Sequence, residues 1–85
     1  MKEIIIDCAK VCDKAQLHRA LKEALSFPDW YGNNLDALYD CLTEMEEDTH
    51  LTLADWEQIA PWAAGFKDVF DDAAQENPCF NITFA

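Results

Sequence analysis

The chain has 85 residues, of which 51% are hydrophobic and ten are aromatic. That is enough apolar side chain for one core and too little chain for two, so disorder and a multi-domain organisation are excluded. Seventeen acids against six bases leave a formal net charge of -11, which would repel phosphate and makes nucleic acid a poor direct partner.

In chain order, Lys2-Glu3-Ile4-Ile5-Ile6-Asp7 is a β-branched run, and its consecutive isoleucines predict a strand covered on both faces. Asp13 followed by Gln16 has capping-box spacing, and Leu17, Leu21, Ala24 and Leu25 recur on one side of a helix over about 14–26. Pro28 and Gly32 bracket a turn. Asn33 or Asn34 caps a second helix whose inward stripe is Leu35, Leu38, Leu42 and Met45, before an acidic loop from Glu44 to Asp48. Leu51 and Leu53 alternate with polar neighbours in a strand over about 49–54. Asp55 and Gln58 repeat the capping spacing at a short helical turn, and Pro61 opens a further helix carrying Trp62, Phe66, Val69, Phe70 and Ala73 until Asn77-Pro78 stops it. Phe80, Ile82 and Phe84 alternate as a third strand. Helical stretches of this length between strands imply crossover connections, hence an α/β single domain with a small parallel sheet.

No apolar run approaches the roughly 18 residues of a membrane span, and Met1-Lys2-Glu3 leads into no signal-peptide core. The expectation is a cytoplasmic protein without membrane association. The cysteines at 8, 12, 41 and 79 lack zinc-type spacing and a secretory context, so they read as reduced thiols, with Cys41 and Cys79 as small buried hydrophobes. No cofactor or metal is expected, because the Glu44–Asp48 cluster lacks the spaced ligands and turn glycine of a calcium loop.

Charge is unevenly placed. Residues 1–22 carry +2, residues 23–66 carry -10 with no Lys or Arg, and residues 67–85 carry -3. A surface without local countercharges repels itself, so the middle segment suits a docking face for something basic better than mere solubility does. On the second helix Asp36, Tyr39, Asp40 and Thr43 fall within an arc of about 100° opposite the leucine stripe. Like charges four apart destabilise a helix slightly. Asp36 also suits the first turn, whereas mid-helix Asp40 has no basic residue four positions away. Trp30, Tyr31 and Gly32 precede this face. Tryptophan and tyrosine dominate binding hot spots, and glycine permits close approach; one ring should turn inward and the other outward, without the sequence deciding which. An enzyme is disfavoured, because paired carboxylates on a convex helix have neither a partnering histidine nor a dry pocket. His18 reads as a buried structural histidine.

The stretch Pro28-Asp29-Trp30-Tyr31-Gly32-Asn33-Asn34-Leu35-Asp36-Ala37-Leu38-Tyr39-Asp40-Cys41-Leu42-Thr43 closely resembles the signature of the barstar family, intracellular inhibitors of barnase-type ribonucleases. The resemblance continues from His18 to Cys79, Ile82 and Thr83. It implies a three-stranded parallel sheet packed with four helices, and a monomer that blocks a basic, extracellular-type microbial ribonuclease 1:1 with carboxylates in place of RNA phosphates. Carried over by position, Asp40 is the central anchor and Asp36 pairs with a basic side chain beside it. Trp30 takes the place of an interface tyrosine; Gly32, Asn34, Leu35, Tyr39 and Thr43 line the same surface, and Asp72 on the last helix meets the enzyme's rim. Relative to barstar, Trp30 and Tyr39 exchange aromatic types, Asn33 replaces an acid, Asp71 replaces a base, and Glu44-Met45 replaces Gly-Trp. The other reading is an immunity or adaptor protein of the same family for a different basic partner, such as another toxin nuclease.

Overall fold

A computed structural model describes all 85 residues. Three parallel strands, β1 (Lys2–Asp7), β2 (Thr49–Ala54) and β3 (Phe80–Phe84), lie in the order β1-β2-β3. There are three α-helices, α1 (Lys14–Leu25), α2 (Leu35–Thr43) and α3 (Ala60–Glu76), with single 3₁₀ turns at Cys8–Lys10 between β1 and α1 and at Trp56–Gln58 between β2 and α3.

The fourth helix of the family expectation is therefore absent as an α-helix. At the predicted second capping box, Asp55 sits in the left-handed region (φ 57°) and its side chain caps nothing, so the segment closes only one 3₁₀ turn before α3 begins at Ala60, with Pro61 in its first turn. The first capping box does form. Asp13 Oδ1 accepts from the Gln16 N–H at 2.8 Å, and Gln16 Oε1 accepts from the Cys12 N–H at 2.9 Å.

Both crossovers run in the same direction across the sheet, and right-handed connections then place every helix on one face. Ile4, Leu51 and Ile82 share one rung beneath the helices, as do Ile6, Leu53 and Phe84. The opposite face stays open, which overturns the expectation that β1 is covered on both sides: Ile5 is 71% exposed. His50 ties that open face together, contacting Glu3 at 2.9 Å through Nδ1 and Thr83 Oγ1 at 2.7 Å through Nε2.

The core lies between sheet and helices, built from Leu17, Leu21, Leu38, Leu42, Phe66 and Phe70 with the inward strand residues. His18 is buried with it, stacked near Phe66 at a centroid distance of 4.8 Å. Burial holds its imidazole below the ordinary value of 6.5. Because the unfolded chain then takes up this proton first, stability is full above about pH 6.5 and declines as pH falls toward the folded-state value, by up to about 1.4 kcal/mol per unit. Urea unfolding at pH 7.5 and 5.0 should show this loss in the natural protein and a smaller one in His18→Gln.

α1 ends where Ser26 turns left-handed (φ 55°) while its N–H and that of Phe27 close on the Lys22 carbonyl. A Cβ is disfavoured in that conformation, so Ser26→Gly should stabilise the fold by about 1 kcal/mol, read as a raised thermal midpoint.

Candidate protein-binding face

α2 begins at Asn34. Its Oδ1 accepts from the Ala37 N–H at 2.8 Å and its Nδ2 donates to the Gly32 carbonyl at 3.3 Å, while Asn33 takes the left-handed region (φ 53°). Of the two candidate caps, the second is used. A Cβ at Gly32 would stand 2.9 Å from Asn34 Nδ2, so this glycine makes room for the cap itself.

From that start, Leu38, Cys41 and Leu42 point into the core, and Asp36 and Asp40 are exposed. Tyr39 and Thr43 are half-buried at the edges of the same face. The Thr43 hydroxyl donates back to the Tyr39 carbonyl at 2.8 Å, which leaves only its oxygen lone pairs free to accept from outside. Leu35 is half-buried and rests against Gly65 of α3, where a Cβ would approach Leu35 Cδ1 to 3.1 Å. A mid-helix glycine lowers helix stability by roughly 1 kcal/mol relative to alanine; here it lets the helices close together.

Contact at Leu35–Gly65 and at Asn77 with Leu42 and Thr43 shows that α2 and α3 run side by side in the same direction. Asp68 and Asp72 lie one and two turns beyond Gly65 on its side of α3, exposed beside the acidic face. The only base after residue 22, Lys67, is turned away. It sits 5.0 Å over the Phe84 ring and 2.9 Å from Asp71. Lys67 pairs with Asp71 and the His50 ring contacts Glu3, so Asp36, Asp40, Glu44 and Asp72 face solvent without a countercharge.

The two rings before α2 divide between inside and outside, and the structure assigns which is which. Tyr31 is 4% exposed, with its hydroxyl 2.5 Å from His18 Nδ1 and its ring 4.9 Å from that of Phe27. Burial pushes its phenol well above the usual range, and its hydroxyl is hydrogen-bonded to the imidazole. Tyr31 is thus the ring that turns inward, where it anchors the loop to α1. Trp30, 60% exposed, is the ring left on the surface.

In the sequence Asn77 reads only as a helix stop. The structure places its side chain, buried at the end of α3, across the C-terminus of α2. Nδ2 donates to the carbonyls of Leu42 (2.9 Å), Thr43 (3.3 Å) and Met45 (3.0 Å), and Oδ1 accepts from the Cys79 N–H at 2.9 Å. The Leu42 and Thr43 carbonyls are among those a helix leaves unpaired at its end, and Met45 follows its C-cap. The bonds from Nδ2 to α2 span more than 30 residues, so no local pattern announces them.

All four cysteines are free thiols. Cys8 is buried, and burial pushes it to about 11. Cys41 is buried and raised by desolvation, then by Glu44 and Asp40. Cys79 is only half-buried and is raised first by its hydrogen bond with Asp48. No three His, Cys, Asp or Glu side chains converge closely enough to hold a metal ion, and no helix is long and apolar enough to cross a membrane.

A family model described as "Barstar (barnase inhibitor)" matches residues 1–85. The chain belongs to the barstar family. A relative from Bacillus subtilis (strain 168), named "Putative ribonuclease inhibitor YrdF", is 56% identical over 43 residues, a stretch that covers 51% of this chain and 47% of that protein. The chain thus spans about half the length of this curated relative, while the barstar family match runs through every element described above.

Proposed function

We propose that this protein inhibits a barnase-like microbial ribonuclease as a 1:1 complex, acting in the cytoplasm as an inhibitor and not as an enzyme. Asp40 enters the cationic site that otherwise holds an RNA phosphate, and Asp36 pairs with a basic side chain beside it. Trp30, Gly32, Asn34, Leu35, Tyr39 and Thr43 surround the pair, and Asp72 extends the contact onto α3. The reading rests above all on one observation: two exposed carboxylates on α2, in a segment with no Lys or Arg, have no countercharge within the molecule. Barstar-family membership and the relative named for ribonuclease inhibition support the same conclusion.

Mechanistically, the net charge of -11 draws a basic enzyme in, with on-rates of about 10⁸ M⁻¹s⁻¹ at low salt, a magnitude that belongs to barnase and barstar themselves. Docking then strips water from the carboxylates only as fixed cations replace it. The exchanges at Asn33, Glu44, Met45 and Asp71 alter the rim and leave the aspartate pair in place, so the cognate enzyme is a barnase relative with a different surface. The test is to titrate the protein into a panel of basic microbial ribonucleases, barnase included, and to follow RNA hydrolysis. Activity of at least one should fall linearly to zero at one equivalent; a panel left fully active would sink the proposal.

A further inference from the structure

Between the loop ahead of Tyr31 and the C-terminal turn of α2 lies a groove of about 220 Å³. Its wall is apolar, formed chiefly by Phe27, Pro28, Trp30, Cys41 and Met45, and Glu44 is its only charged residue. We propose that this groove is a second anchor of the interface and takes one arginine side chain from the ribonuclease; only the identity of the partner rests on the inhibitor reading.

The choice of occupant is chemical. An arginine needs an apolar surface for its methylene stem, a ring face for its planar guanidinium and a carboxylate for its charge. The groove supplies Met45 and Pro28, Trp30 and Glu44 respectively. Trp30 is one of three large hydrophobic residues left exposed, and the other two, Met1 and Ile5, belong to β1 and its approach. Glu44 meets no cation of its own chain. The groove also continues the acidic face: the Glu44 N–H bonds the Asp40 carbonyl at 3.1 Å, so rim and anchor are one helical turn apart. Its floor, the buried Cys41 thiol, adds no charge that would favour a different head group.

The free protein provides the test without any ribonuclease present. Nα-acetyl-arginine methylamide, titrated against isotope-labelled protein, should give saturable NMR shifts at the Trp30 indole N–H and the Met45 methyl. Glu44→Gln, or the norleucine analogue in place of arginine, should weaken binding by about fivefold, as expected for losing one partly exposed charge pair. Trp30→Ala should abolish the Met45 methyl shift while the amide spectrum stays folded. Norleucine binding as tightly as arginine, with no effect of Glu44→Gln, would make the groove an apolar pocket and overturn the proposal, as would the absence of saturable shifts up to the solubility of the probe. Neither result touches the Asp40-dependent loss of ribonuclease activity, so failure here is distinct from failure of the inhibitor reading.

Discussion

Asp40→Ala should weaken inhibition of the cognate ribonuclease at least about a hundredfold, equivalent to roughly 2.7 kcal/mol, while Glu47→Ala changes mainly the rate of association. The difference follows from where each carboxylate ends up. Asp40 is exposed and unpaired in the free protein, and under the proposed function it is buried against fixed cations on docking. Truncating one partner of such a pair leaves the other charge stranded, at about 2–5 kcal/mol or more, a range anchored on barnase and barstar. That loss shows in the dissociation rate. Glu47 lies in the exposed loop after α2 and contributes long-range attraction, which salt screens over about 8 Å at physiological ionic strength. Stopped-flow mixing and residual ribonuclease activity separate the two. Equal effects of both substitutions would show that α2 does not provide the anchor.

The second large effect concerns the fold that holds this face. Asn77→Ala removes the donor shared by the Leu42, Thr43 and Met45 carbonyls and should destabilise the protein by about 3 kcal/mol, since a buried group stripped of its partner costs about 1–3 kcal/mol and more than one is affected. That is a large fraction of the roughly 5–15 kcal/mol that stabilises ordinary domains. Asn77→Asp should be at least as damaging at neutral pH, because it turns a carboxylate toward carbonyl oxygens. Its acid form recovers one donor, so relative to the natural protein this variant should regain stability as pH falls. Urea midpoints at pH 7.5 and 5.0 measure both effects. An Asn77→Ala variant as stable as the natural protein would mean that water satisfies the end of α2 equally well.

Much of this architecture is written in local patterns. The spacing of leucines along α2 sets which side is wet, and Asp13 with Gln16 marks the start of α1 through bonds that close within four residues. The segregation of charge, with no Lys or Arg from 23 to 66, already isolates the acidic face. The same local signals also mislead. Asp55 and Gln58 have capping spacing, yet Asp55 turns left-handed at the junction of β2 with the helical layer, and three consecutive isoleucines in β1 read as buried although helices cover only one face.

Periodicity therefore reports which side of an element is apolar, and composition reports which side is charged, because both are properties of residues a few positions apart. Neither says what the apolar side meets. Tyr31 turns inward where His18, thirteen positions earlier, offers its hydroxyl a buried hydrogen-bond partner, whereas Trp30 next to it has the groove by Met45 and Glu44. The end of α2 is held by Asn77 for the same kind of reason: chain segments far apart in order become neighbours only when the core closes, and unpaired polar groups buried by that closure must then find one another.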